Sequence, residues 1–169
     1  MSRITRGDVQ AVFEAFGNGG RAILQHSKDA EGAPADFLGS HGSIRPFDPW
    51  NNGHFCADDW HVILIADIEG GDKSFKHKDA EAIMADLSVR FVLDGTPLPT
   101  TRTAIKRFLD PGQFDLEEAY FFQEGRIMAP DELTVGAHSL NCQMSLGSQV
   151  VFENTISFFI DASDSGACR

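Results

Sequence analysis

The chain has 169 residues and a mass of 18.5 kDa, which suits one domain, and 42% hydrophobic residues with 14 Phe can fill a sizeable core. Its 14 basic against 25 acidic side chains give a net charge of −11, which repels phosphate backbones and anionic lipid, so neither nucleic acid nor a membrane surface is an expected partner. Three Cys, at 56, 142 and 168, are odd in number and lack a CxxC pair, so neither a disulfide framework nor a Cys-based zinc site is expected.

The N-terminal stretch carries Arg3 and Arg6 but no apolar run of signal-peptide length, and no stretch approaches the roughly 18 apolar residues of a bilayer span. These features predict a soluble, cytoplasmic protein. Val9, Val12, Phe13 and Phe16 recur at helical spacing between a capping Asp8 and the glycines from Gly17, predicting a short helix over 8–16. Residues 21–27 could extend as a strand. Residues 28–59 are rich in Gly, Pro, Asp and Asn without a repeat, and predict one long aromatic-rich loop.

The run WHVILIADI, beginning at Trp60, is almost continuously apolar, as expected of a strand covered on both faces. Residues 73–87 fit two periods: Ala80, Ile83, Met84 and Leu87 suit a helix, while Ala85, Leu87, Val89, Phe91 and Leu93 alternate as in a strand. LSVRFVLDG is the firmer strand and ends in an Asp94-Gly95 turn. A broken strand follows through Ile105 and Phe108, then a strand over 119–123 and a second turn at Glu124-Gly125.

The clearest alternation lies near the C-terminus. His138, Leu140, Cys142 and Met144 share one parity, as do Val150, Phe152, Ile156, Phe158 and Ile160, so two half-buried strands should form a hairpin through LGSQ. Together the elements predict an all-β, antiparallel β-sandwich forming a single domain over residues 1–169. The pattern Leu133, Gly136, His138 and Leu140, after the Asp94-Gly95 turn, resembles immunoglobulin-like sandwich modules over about a third of the chain. That resemblance implies an architecture and no single activity.

Chemistry is densest at the end of the long loop, where His54, Cys56, Asp58, Asp59 and His61 fall within eight positions. In an extended chain, strand parity puts His54, Cys56 and Asp58 on one face and Asp59 and His61 on the other, which disfavours one metal ion. The better reading is metal-independent acid–base chemistry by His54, Asp58, Asp59 and His61, without a cofactor, on a compact organic molecule. Trp50, Trp60, Tyr120 and His138 would line the site, and isomerase, lyase or hydratase reactions suit such a pair. Acidic neighbours count against Cys56 as a reactive thiolate. The rival expectation is a non-catalytic sandwich module that pairs with itself or with a larger subunit through a strand edge or apolar patch.

Overall fold

A computed structural model describes residues 43, 44, 46, 52–108, 116–166 and 168. The expected helix over 8–16, the 21–27 strand and Trp50 lie outside the described residues. Among the described residues, ten strands and one helix follow in chain order: β1 (Ser43–Ile44), β2 (Gly53–Cys56), β3 (His61–Gly71), α1 (His77–Ala85), β4 (Leu87–Leu93), β5 (Thr96–Leu98), β6 (Thr101–Arg102), β7 (Lys106–Phe108), β8 (Glu118–Met128), β9 (Gly136–Leu146) and β10 (Gln149–Asp161). They form two sheets. One has the order β1-β3-β8-β6, with β7 also on β8, and the other the order β2-β10-β9-β4-β5.

The sequence patterns account for most of these elements. β3 is apolar on both sides because both sides are covered: Val62, Ile63, Leu64 and Ile65 are all at most 2% exposed. The alternation in β9 buries His138, Leu140, Cys142 and Met144 and leaves the intervening polar residues outward. Asp94 and Gly95 both take positive φ, 51° and 79°, the backbone of a tight turn between β4 and β5. Gly147, at φ 57°, is the first central residue of the β9–β10 turn. Ile63, Ile65 and Phe122 of one sheet share a single core with Phe91, Leu140 and Phe158 of the other.

The structure departs from the sequence expectations in several places, each for a local reason. Within residues 28–59, Gly53–Cys56 is a strand, because its backbone pairs with β10 in a way that local composition does not report. The sandwich is not wholly antiparallel, since β1 runs parallel to β3 and β2 parallel to β10. Of the two periods open over residues 73–87, residues 77–85 take the helical one, with Ala80 and Met84 buried and Asp79 Oδ2 accepting a hydrogen bond from Lys76 N at 2.8 Å. The broken strand becomes three short ones, β5 to β7, with Pro97 on edge strand β5 and Pro99 just beyond it, where the missing N–H is tolerated. A register shift between Val150 and Phe152 turns Val150 outward to 47% exposure.

Glu124-Gly125 is not a turn. β8 runs straight through it, and Gly125 lies opposite Leu64 on β3. A Cβ there would stand 2.2 Å from the Ile63 carbonyl oxygen, so glycine is needed for close approach of two strands rather than for reversal.

Candidate functional site

The structure brings part of the 54–61 cluster together with residues far along the chain. β2 is the edge strand of its sheet, and its parallel register sets His54 beside Phe159 and Cys56 beside Asp161. Phe55 and its partner Ile160 point into the core, so His54, Cys56, Phe159 and Asp161 share the outer face. There the His54 ring stacks on Phe159, with centroids 4.9 Å apart and planes at 16°. Its Nδ1 stands 2.9 Å from Asp161 Oδ2. The His54 side chain is 58% exposed, so the rest of the ring faces solvent. A carboxylate on Nδ1 fixes that nitrogen as the donor and directs the Nε2 lone pair outward, the arrangement a general base requires.

His61 occupies the opposite situation. It is 1% exposed, its Nε2–H donates to the Cys56 carbonyl at 2.9 Å, and its Nδ1 is buried without a hydrogen-bond partner. Burial lowers its pKa below the usual 6.5, against smaller raising effects from the Cys56 carbonyl, Asp59 and Asp58. Asp58 and Asp59 are exposed residues of the β2–β3 connection, and their charge reaches His61 although they share no strand face with it. Trp60 is half-buried in the same connection.

A consequence for stability follows from His61. Its folded pKa lies below the unfolded one, so when pH falls through about 6.5 the unfolded chain takes up a proton that the folded chain refuses. The stabilising preference for neutral His61 is complete above that pH and is lost progressively below it. We expect the stability of wild type minus that of His61→Phe to decline between about pH 7 and pH 5 in urea unfolding, and a flat difference would contradict this.

Tyr120 and His138 lie away from His54. Tyr120 faces inward on β8, edge-on to His77 with centroids 5.4 Å apart and tilted against Phe75 at 6.1 Å. His138 stacks on Phe158, with centroids 5.2 Å apart. Its Nδ1 meets Asp94 Oδ2 at 2.7 Å and its Nε2 meets the Thr134 carbonyl at 2.6 Å. Asp94 also accepts from Ser139 N at 2.8 Å, so the group ties the β4–β5 turn to β9 and leaves neither His138 nitrogen for a substrate.

Three features of the chemistry were not legible from local sequence. Asp161 and Phe159 join His54 only through the β2–β10 register, 107 residues along the chain. Cys56 is bonded to Cys168 across a separation of 112 residues, which corrects the expectation of no disulfide; the fold brings their Cα atoms within 5.7 Å. On β3, burial raises the pKa of Asp67, opposed by its Ile68 backbone hydrogen bond and by Arg102. Burial, and then the charge of Asp67, raise that of Glu69. Asp67 Oδ2 has no hydrogen-bond partner, a desolvated carboxylate that the apolar run around it concealed.

Cys142, the free cysteine among the described residues, is buried, and burial together with the charge of Glu124 pushes its thiol up to about 12. Among the described residues, no group of three or more His, Cys, Asp or Glu is placed to hold a metal ion, and no helix is long and apolar enough to cross a membrane.

No family model matches the chain, and no curated protein does. Among solved structures the chain is similar to a crystal structure of the cysteine protease inhibitor EhICP2 from Entamoeba histolytica. The identity is 12% and the TM-score 0.35, over 70% of this chain and 94% of that one.

Proposed function

We propose that the protein acts on a compact organic molecule by metal-independent His/Asp acid–base chemistry, with His54 as the base and Asp161 as its orienting carboxylate. The observation that carries this reading is the 2.9 Å contact between Asp161 Oδ2 and His54 Nδ1 on a ring that is otherwise open to solvent. Phe159 beneath the ring limits its rotation, so the outward nitrogen keeps one direction. Isomerisation, elimination and hydration each need a base of this kind, and Asp58 and Asp59 add negative charge at the same corner. We infer that the architecture is a variant of the immunoglobulin-like sandwich, a reading supported by two sheets around one core.

p-Nitrophenyl acetate, a generic reporter of an activated imidazole, tests this directly. Wild type should cleave it at least about tenfold faster than His54→Gln, with Asp161→Asn in between. Equal rates for the three proteins would remove the reading.

One observation favours the interaction-module alternative. Leu146, Val150 and Val151 are 41%, 47% and 51% exposed around the β9–β10 turn, a small apolar tip suited to contact with a second copy or a larger subunit. A monomer in sizing experiments whose surface behaviour is unchanged by Val150→Ser and Val151→Ser would count against it.

The expected cytoplasmic location is tied to the disulfide. A permanent bond suits an oxidising compartment, whereas a bond that is made and broken suits the cytoplasm.

A further inference from the structure

We propose that Cys56, His54 and Asp161 form a latent nucleophile triad, that Cys168 is the resolving cysteine, and that the dithiol form reduces low-molecular-weight disulfides. The inference rests on the His54–Asp161 reading above and adds to it a nucleophile and a substrate class.

The placement comes from β2. His54 and Cys56 are two residues apart on the same outward face, which sets their Cβ atoms about 7 Å apart. The residue paired with Cys56 across the sheet is Asp161, and His54 leans along the strand to reach that carboxylate at 2.9 Å. The imidazole is therefore drawn toward the Cys56 end of the face. Both cysteines are half-buried rather than enclosed in the core, unlike Cys142. The backbone that carries the site is also held by contacts other than the bond: β2 pairs with β10, Ala57 N donates to Asp161 O at 3.0 Å, and His61 Nε2 holds the Cys56 carbonyl from the interior.

In the reduced chain, His54 takes the Cys56 thiol proton while Asp161 holds the resulting imidazolium. The Cys56 thiolate attacks one sulfur of RSSR, forming a Cys56–S–S–R bond and breaking the R–S–S–R bond. The departing RS⁻ takes the proton from His54. The Cys168 thiol, deprotonated in turn, attacks the Cys56 sulfur of the mixed disulfide and expels a second RS⁻, which leaves as RSH. The sum is protein dithiol plus RSSR giving the Cys56–Cys168 bond plus two RSH, with two electrons passing from the cysteines to the substrate. Another turnover needs an external dithiol, such as dithiothreitol. Cys142 takes no part, being buried in the core.

Oxidised glutathione offered to the Cys168→Ser chain tests the assignment. One glutathione should accumulate on Cys56, identified by peptide mass, and His54→Gln in that background should slow the adduct at least about tenfold while His77→Gln leaves it unchanged. Where too little of the Cys168→Ser chain folds, the reverse reaction on the intact oxidised protein gives the same comparison. In that direction one glutathione attacks the Cys56 sulfur and expels the Cys168 thiolate, and a second attacks the glutathione sulfur of the mixed disulfide and expels the Cys56 thiolate beside the same imidazole, so His54→Gln should slow this second step at least about tenfold. Adduct formation at the same rate with and without His54, or equally fast labelling of Cys168 in a Cys56→Ser chain, would overturn the proposal. Slow exchange with rapid His54-dependent cleavage of p-nitrophenyl acetate would overturn this inference alone; loss of both would overturn the acid–base reading with it.

Discussion

Reduction of the Cys56–Cys168 bond, or replacement of either cysteine by serine, should lower the unfolding free energy by about 4–5 kcal/mol. The bond closes a loop spanning 112 residues, and in the chain-entropy account a loop of that size removes this much freedom from the unfolded chain. The native structure adds a local reason. β2 is four residues long, pairs in parallel with β10 and inserts Phe55 into the core, so the bond anchors a short edge strand. Urea unfolding with and without reductant measures the effect, and the double serine variant should match either single one, because each removes the same bond. A loss under about 1 kcal/mol would show that the unfolded chain gains little freedom. By linkage, the same free energy makes the folded pair more reducing than the unfolded pair by about 100 mV. That sign favours the dithiol as an electron donor.

Arg102→Met is the second change expected to cost heavily, about 3 kcal/mol. Arg102 Nε donates to Glu124 Oε2 at 2.8 Å, while its two terminal nitrogens reach the Met84 carbonyl at 3.0 Å and the Leu87 carbonyl at 2.8 Å. Helix α1 has no basic residue in its own last turn, so a side chain from β6 supplies the positive charge and the donors that its C-terminal end requires. The guanidinium also covers the Phe122 ring at 4.2 Å. Without it Glu124, whose side chain is 11% exposed, keeps Thr100 Oγ1 as a partner at 2.8 Å but loses its counter-charge. Arg102→Lys should recover only part of the loss, since an ammonium cannot fork to carboxylate and carbonyls together. Glu124→Gln added to Arg102→Met should cost little more, because the uncompensated charge is then gone. Urea midpoints for the four proteins decide it, and an Arg102→Met cost below about 1 kcal/mol would mean the network adds nothing measurable.

Much of the sandwich was legible in the sequence, because side-chain parity in a strand is a local property. Alternation in β9 and the continuous apolar run of β3 correspond directly to one-sided and two-sided burial. The Asp94-Gly95 turn was legible too, since positive φ at successive residues selects Asp and Gly from local sterics alone. Glu124-Gly125 carries a similar local signal and means something else. Only the approach of Ile63 and Leu64 makes glycine necessary there, and that contact is set by the β3–β8 pairing.

Local sequence also determined that the 54–61 segment concentrates titratable groups, and strand parity predicts their division between two faces. The structure does not keep that division: the chain turns after Cys56 and passes from β2 in one sheet to β3 in the other, so His54 is outward and His61 inward because they belong to different strands, and Asp58 and Asp59 are both exposed in between. Tertiary structure alone decided which distant groups complete each face. Asp161 and Cys168 arrive beside β2 because β10 runs parallel to it in one register, a choice made by burying Phe55, Phe158 and Ile160 together. A one-residue slip would turn that apolar set toward solvent, and core burial is a free energy of the whole sandwich that no short stretch contains.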